Sequence, residues 1–510
     1  MPYLSYEPVE LSFGTSGLRG LVTDMTDLEC YINTRGFIDF LSSIGHLSKG
    51  TIYIAGDLRA STPTISRAVA KAITDTDLRV VNCGFIPTPA LAYYAGQNAS
   101  PSIMITGSHI PDDRNGIKFY KADGEVLKSD EAAIQACVAA VREGLDDTAI
   151  ADMFQPNGSL RENAALPDAI SEPAEIYAKR YADVFGSFLG GKTVVVYQHS
   201  AVGRDMLVEL LQSLGATVVS EGRSEKFIPI DTENVTPEDQ AYFRQLAVKY
   251  PDAYAIVSTD GDSDRPFVVD ERGTFYRGDI LGAVVADSLQ ADFAAYPVSS
   301  SDVVDTFLTH KNVPYVHTKI GSPYVIVAMQ NAASKGKQTV VGWEVNGGFL
   351  LGTGVTIDGR PLDALPTRDA FFPILCALRV AALAHEPVSA AFARLPQRFT
   401  SAGMLDNFAT ADYARIKDHF SEDTEESRQT LQTVFTADDA FGDVEKIDVM
   451  DGVRIYFVGG DIAHVRGSGN APQLRIYSVA NSQERADAIV AMAIKEPDGL
   501  LRKLAEGTAG

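Results

Sequence analysis

Three aspartates at alternate positions, Asp260, Asp262 and Asp264, stand in the run "STDGDSDR" (258–265), directly after the apolar stretch "AYAIV". Carboxylates this close repel one another unless a cation offsets their charge. Hard oxygen donors suit Mg2+, which keeps coordination positions open for water or phosphate. The other readings are a solvated acidic turn and a calcium loop. The calcium loop fails: Glu271 falls at its twelfth position counted from Asp260, but the sixth, which needs glycine, is Arg265, and a strand-like run precedes it.

A second loop, "TGSHIPDDRNGIKFY" (106–120), follows the apolar run "PSIMI" and sets Ser108 beside His109. A hydrolase elbow wants Gly-x-Ser-x-Gly, and this loop lacks the second glycine. Neighbouring side chains at a strand end diverge, which makes His109 a poor base for Ser108. A serine that carries a phosphoryl group fits better, because such a group needs a nearby cation and the aspartate loop can hold one. Lys118, past the turn-forming pair Asn115-Gly116, can return to this site as a general acid/base or as a charge partner. Its bland reading is an exposed strand lysine.

Two further loops have binding chemistry. In "GWEVNGGF" (342–349), Glu344 and Asn346 are alternate residues among glycines, a pairing of carboxylate and amide that can bridge sugar hydroxyls or simply make a turn. In "VRGSGNAP" (465–472), Arg466 offers a planar fork of donors, Ser468 and Asn470 offer side-chain donors, and the glycines free backbone N–H groups for an anion nest; a glycine-rich hairpin turn is the alternative.

Those loops need elements to hold them. Over the first 150 residues or so, short apolar runs alternate with amphipathic stretches: "TIYIAGD" as strand, "STPTISRAVAKAITDT" as a helix capped by Ser61 or Thr62, "LRVVNCG" and "SIMIT" as strands. After a polar stretch at 153–175 the rhythm restarts, and it restarts again near 277. From about 393 a polar, acidic helix-like stretch leads to strand-rich alternation and one closing amphipathic helix. The expectation is an α/β protein with three similar mixed α/β domains around a central cleft, 1–160, 161–274 and 275–392, plus a smaller α+β domain, 393–510.

Bulk numbers agree with several domains, since 510 residues exceed the roughly 250–300 at which single cores stop growing. A net charge of −23 disfavours nucleic acid, while a few convergent arginines can still make a pocket for a small anion. Cys30, Cys83, Cys137 and Cys376 are scattered, with no C-x-x-C pair, and read as reduced core thiols. Neither a signal sequence nor a membrane span is visible, and the expected location is the cytoplasm.

Taken in order from about residue 12 to 485, these motifs resemble the α-D-phosphohexomutases, the phosphomannomutase/phosphoglucomutase family. "FGTSGLRG" (13–20) is similar to the family's opening signature, "TGSHIP" to its phosphoserine loop and "DGDSDR" to its metal loop. "GWEVNGG" stands in place of its sugar loop, usually Gly-Glu-x-Ser-Gly-His, and "RGSGNAP" in place of its phosphate loop, usually Arg-x-Ser-Gly-Thr-Glu-Pro; "GFIPTPAL" (84–91) and "TKIGSPYV" (318–325) are also familiar. The resemblance implies that Ser108 is phosphorylated and sits with Asp260, Asp262 and Asp264 around Mg2+. It places His109, Lys118, Arg19 and Arg265 about the transferring group, makes Glu344, Asn346 and Lys319 substrate-binding, and gives the distal phosphate to Arg466, Ser468, Gly469 and Asn470.

The activity so implied is reversible transfer of phosphoryl between the 1- and 6-positions of a hexose phosphate, mannose and also glucose, through a hexose 1,6-bisphosphate that serves as intermediate and activator. The partners implied are small hexose phosphates, with no nucleic acid and no membrane, for a monomer or homodimer. Phosphoglucosamine mutase and a non-catalytic sugar-phosphate binder are the competing readings. Several positions depart from the family pattern: Ile110 replaces Asn, Asn346 replaces Ser, Gly348 replaces His, and Asn470-Ala471 replace Thr-Glu. The stretch 356–375 is longer than the family pattern needs.

Overall fold

The computed structural model describes residues 3–14, 17–162, 165–233, 235–467 and 473–508. Met1–Ala294 with Gly321–Phe392 form one compact unit, and Ala295–Ile320 with Ala393–Gly510 a second.

In the first unit a seven-stranded sheet runs Ser12–Phe13, Gly17–Leu21, Arg114–Lys121, Ser102–Ile105, Thr51–Gly56, Arg79–Phe85, with Gly124–Glu125 pairing beside Arg114–Lys121. Thr51–Gly56 pairs in parallel with both of its neighbours. Parallel neighbours need crossovers, and the helices Thr62–Thr74 and Thr88–Gln97 supply them. Ile52, Ile54, Ile103 and Ile105 are buried, and so are the alternate residues Tyr53, Ala55 and Met104, as strands covered on both faces require.

The pairing of Ser102–Ile105 with Arg114–Lys121 sets Met104 against Lys118, so the loop holding Ser108 leaves the sheet where Lys118 comes back into it. Asn115 and Gly116, expected in a turn, lie inside that strand instead. Asn115 Nδ2 donates to Ser61 Oγ at 2.8 Å, and a Cβ on Gly116 would stand 2.5 Å from the Leu18 carbonyl oxygen. Close approach, and not a turn, explains the pair. Nor does a side chain cap the helix Thr62–Thr74: Ser61 Oγ is engaged by Asn115, and Thr62 Oγ1 donates to Asp57 Oδ1 at 2.7 Å.

A five-stranded sheet runs Phe275–Tyr276, Pro266–Val269, Ala253–Thr259, Thr193–Tyr197, Thr217–Glu221. Thr259 pairs with Pro266 antiparallel, which makes residues 260–265 the closing loop of a hairpin. Pro237–Lys249 starts at a capping box formed by Thr236 and Asp239. A third set, Val340–Trp343, Phe349–Leu351 and Leu365–Asp369, is antiparallel, and residues 344–348 close the hairpin at Trp343 and Phe349. The long stretch 356–375 resolves into a small hairpin, Val355–Ile357 with Arg360–Leu362, then the strand Leu365–Asp369 and the start of the helix Phe371–Ala384.

The second unit contains a five-stranded antiparallel sheet, Phe399–Asp406, Gln473–Ala480, Ile462–Gly467, Val453–Phe457, Val444–Asp448. Phe399–Asp406 was expected in a helix-like stretch; eight paired positions with Gln473–Ala480 make it a strand. The closing helix is two, Gln483–Ile494 and Leu500–Gly507, because Pro497 has no N–H to continue the first. Among the described residues no helix is long and apolar enough to cross a membrane. All four cysteines are free, Cys30, Cys83 and Cys376 buried and Cys137 partly so.

Candidate active site

Ser108 lies at the end of Ser102–Ile105, fully buried, with a φ of 56° that few non-glycine residues adopt. Its N–H donates to Thr106 Oγ1 at 2.8 Å, and its own Oγ donates to Asp260 Oδ2 at 2.7 Å. The strained turn also brings His109 Nδ1 to 3.4 Å from Ser108 Oγ, so the two side chains do not diverge as strand geometry suggested. His109 is nonetheless poorly suited as a base. Burial and then the charges of Arg265 and Arg19 hold its imidazole well below the usual range, and Arg265 Nη1 stands 2.8 Å from Nδ1.

Asp260, Asp262 and Asp264 are all buried, with carboxylate oxygens within 4.8 Å of one another. Asp260 Oδ1 accepts from the N–H groups of Asp264 and Arg265, which ties the loop to itself. Burial, then repulsion from Asp262 and Asp264, pushes the Asp260 carboxyl well above its ordinary value. For Asp264, burial acts in the same direction, but Arg368, Lys118 and Arg265 outweigh it and hold the carboxyl low. Asp262 Oδ1 and Asp264 Oδ1 are buried with no hydrogen-bond partner. Two orphaned anionic oxygens beside a third carboxylate and a serine hydroxyl are a donor set that fits a divalent cation.

Lys118 is not an exposed strand lysine. Its Nζ is 2.6 Å from Asp262 Oδ2 and 2.7 Å from Asp264 Oδ2, in a side chain only 6% exposed. Thr88 Oγ1, in the familiar stretch 84–91, donates to the same Asp262 oxygen at 2.5 Å. Arg265 Nε lies 3.6 Å from Asp264, and Arg19 is near enough to Arg265 and Arg368 that, after burial, their charges help push it down to about 10.

Glu344 and Asn346 are buried in the closing loop of the third hairpin. Asn346 Oδ1 accepts the Gly348 N–H at 3.0 Å and so braces the turn. Glu344 Oε2 accepts from Arg368 Nη1 at 3.0 Å, and Arg368 Nε reaches Asp264 Oδ2 at 3.0 Å. Glycine at 348 now has a cause: a Cβ there would stand 2.6 Å from Arg368 Cδ. Gly348→Ala is expected to destabilise the fold by about 1–3 kcal/mol through that overlap, read as a lowered thermal midpoint.

Sequence reasoning missed Arg368, Thr88 and Arg59. Arg59 is buried, donates from Nε to Asp57 at 3.1 Å, and from Nη1 and Nη2 to the carbonyls of Pro111, Arg114, Ser108 and Ile110. It thus grips the Ser108 loop by its backbone, the Ile110 carbonyl included. The short run "GDLRAS" after a strand was the available signal.

In the second unit, Arg466 Nε donates to Asp451 Oδ1 at 3.0 Å, and Asp451 Oδ2 accepts the Ile320 N–H at 2.8 Å. Asp451 therefore holds Arg466 to the segment that carries the exposed Lys319. Ser468, Gly469, Asn470 and Ala471, and Thr15 and Ser16 of the opening signature, lie outside the described residues.

A serine hydroxyl on a buried carboxylate cage that fits a divalent cation, with lysine and arginines around it, can take up and hand on a phosphoryl group. The sequence matches phosphoglucomutase/phosphomannomutase alpha/beta/alpha domain I over residues 10–144, domain II over 179–273 and domain III over 277–399. It is 39% identical to a phosphomannomutase of Sinorhizobium fredii, over 94% of this chain and 98% of that protein. It is also 39% identical to a phosphomannomutase of Salmonella muenchen, over 96% of each. A crystal structure of a phosphoglucomutase/phosphomannomutase family protein from Burkholderia thailandensis superposes with a TM-score of 0.69 at 19% identity, covering 97% of both chains. The chain belongs to the phosphoglucomutase/phosphomannomutase family, the α-D-phosphohexomutases. It is a mutase, an isomerase-class enzyme of hexose-phosphate phosphoryl transfer.

Proposed function

We propose that the chain interconverts mannose 1- and 6-phosphates, accepts glucose phosphates as well, and works through phosphoserine at Ser108 and a hexose 1,6-bisphosphate. The observation that carries this is Ser108 Oγ at 2.7 Å from Asp260 Oδ2, beside two buried carboxylate oxygens that make no hydrogen bond. Asp260, Asp262, Asp264 and the Ser108 phosphoryl group would hold Mg2+, which when bound offsets their combined negative charge.

In this reading the phosphorus–Oγ bond breaks as a hexose hydroxyl oxygen bonds to phosphorus, and the proton of that hydroxyl passes to the departing Ser108 Oγ, which returns to the hydroxyl that donates to Asp260. Arg19, Arg265 and the N–H-bearing side of His109 meet the transferring oxygens. Lys118, held between two carboxylates, acts as their charge partner and so keeps the cage from collapsing or splaying as charge moves. Glu344 and Asn346 read sugar hydroxyls, while Arg466, Lys319 and residues 468–470 bind the phosphate that does not react. The bisphosphate must turn end for end, and a distal clamp indifferent to which phosphate it holds permits that. Each of 1–160, 161–274, 275–392 and 393–510 contributes one loop.

Arg466→Ala is expected to raise KM for hexose phosphate at least about tenfold with little change in kcat, because a distal clamp binds ground and transition states alike. An unchanged KM removes Arg466 from the site. The sugar is tested by coupled assay with mannose 1-phosphate, glucose 1-phosphate and glucosamine 1-phosphate. Turnover of the glucosamine sugar equal to or better than mannose overturns the assignment, and intact mass before and after phosphatase reads the phosphoserine.

A further inference from the structure

Arg368 lies near the end of the strand Leu365–Asp369, and its surroundings hold it in one geometry. The neighbouring Asp369 accepts from Tyr177 and Tyr181 and from the Phe371 N–H, which anchors the end of the strand to the helix after it. Thr367 Oγ1 donates to the buried Glu125 at 2.6 Å, as does Ser322 Oγ at 2.7 Å. Arg368 Nη1 donates in turn to Ser322 Oγ at 3.2 Å. Gly348 leaves the space its stem occupies. The guanidinium, 2% exposed as a residue, then spans Asp264 in the metal loop and Glu344 in the sugar loop, and its pKa is held well above ordinary by those two carboxylates against the cost of burial.

Arg368 is also the hydrogen-bond partner of the Glu344 carboxylate, so the direction of that carboxylate depends on it. Through Arg368 the acceptor for sugar hydroxyls stands at a set distance from the aspartates that hold Ser108. A planar fork can span two carboxylates in this way; an ammonium point charge cannot reproduce it. We propose that Arg368 is a positioning residue for sugar recognition, locking the Glu344 carboxylate onto the metal loop. The inference rests on the reading of Glu344 as the group that meets the sugar.

The test is a double-mutant cycle on kcat/KM for mannose 1-phosphate, with Arg368→Gln, Glu344→Gln and the pair. Each single change is expected to lower kcat/KM by about 10–100-fold, chiefly through KM, and the pair to fall within about threefold of the worse single, because one acts through the other. If the two losses multiply in the pair, Arg368 does not act through Glu344 and the inference is overturned. If Glu344→Gln alone leaves kcat/KM at the parent value, the reading of Glu344 falls as well. Thermal midpoints accompany the cycle. Where Arg368→Gln melts far below the parent, Arg368→Lys replaces it, keeping charge beside Asp264 while losing the fork to Glu344, with the same expected non-additivity.

Discussion

Ser108→Ala is expected to lower mutase turnover by at least about 10,000-fold, since in the proposed mechanism its hydroxyl oxygen carries the phosphoryl between the two halves of the reaction. The fold should survive the change. The Ser108 N–H keeps its bond to Thr106 Oγ1, Arg59 still holds the Ser108 and Ile110 carbonyls, and alanine meets the same positive φ that serine already tolerates. What is lost is one donor to Asp260, in a cage that a cation can satisfy instead. Sugar-phosphate affinity by calorimetry should therefore stay within about threefold of the parent, while intact mass no longer shows a phosphatase-sensitive phosphate. Turnover above a hundredth of the parent's would remove Ser108 from the role of carrier.

The loop that accepts the Ser108 hydroxyl shows where a sequence speaks clearly and where it is silent. Asp260, Asp262 and Asp264 were legible because alternate carboxylates after a strand have few inexpensive explanations, and a hairpin loop indeed gathers them. Their counterions were only half legible. Lys118 was visible as a candidate, but whether a strand lysine faces water or a buried cage depends on pairing across Met104, which no local pattern encodes. Arg368 was invisible for a stronger reason: its meaning comes from Gly348 and Glu344 in the closing loop of a hairpin some twenty residues away, so nothing around it in the chain marks it. The same limit misread Asn115-Gly116 as a turn, since the atoms that demand glycine there belong to Leu18 and Thr106. Phe399–Asp406 likewise became a strand through its long pairing with Gln473–Ala480, which its own mixed polarity does not announce.

Lys118 carries the second large effect, and its two candidate roles predict different outcomes. Lys118→Met removes a buried cation that two carboxylates share at 2.6 and 2.7 Å, leaving Asp262 and Asp264 facing Asp260 with less to balance them. Breaking a buried pair from one side typically costs about 3–5 kcal/mol. The thermal midpoint should therefore fall sharply, and Mg2+ should restore part of it by supplying positive charge to the same oxygens. Activity should fall at least about 1,000-fold and stay low at any Mg2+ concentration, because a cation in the cage does not replace the one beside it. Lys118→Arg separates the roles. As a charge partner, arginine keeps the positive charge, and the variant should retain clearly more activity and stability than methionine. Were proton transfer by a lysine amine the essential contribution, arginine, which does not give up its proton in this range, would be as inactive as methionine despite its better stability. Equal inactivity of the two variants at unequal thermal midpoints would assign Lys118 to acid–base chemistry; the bonds it makes to both aspartates favour the other result.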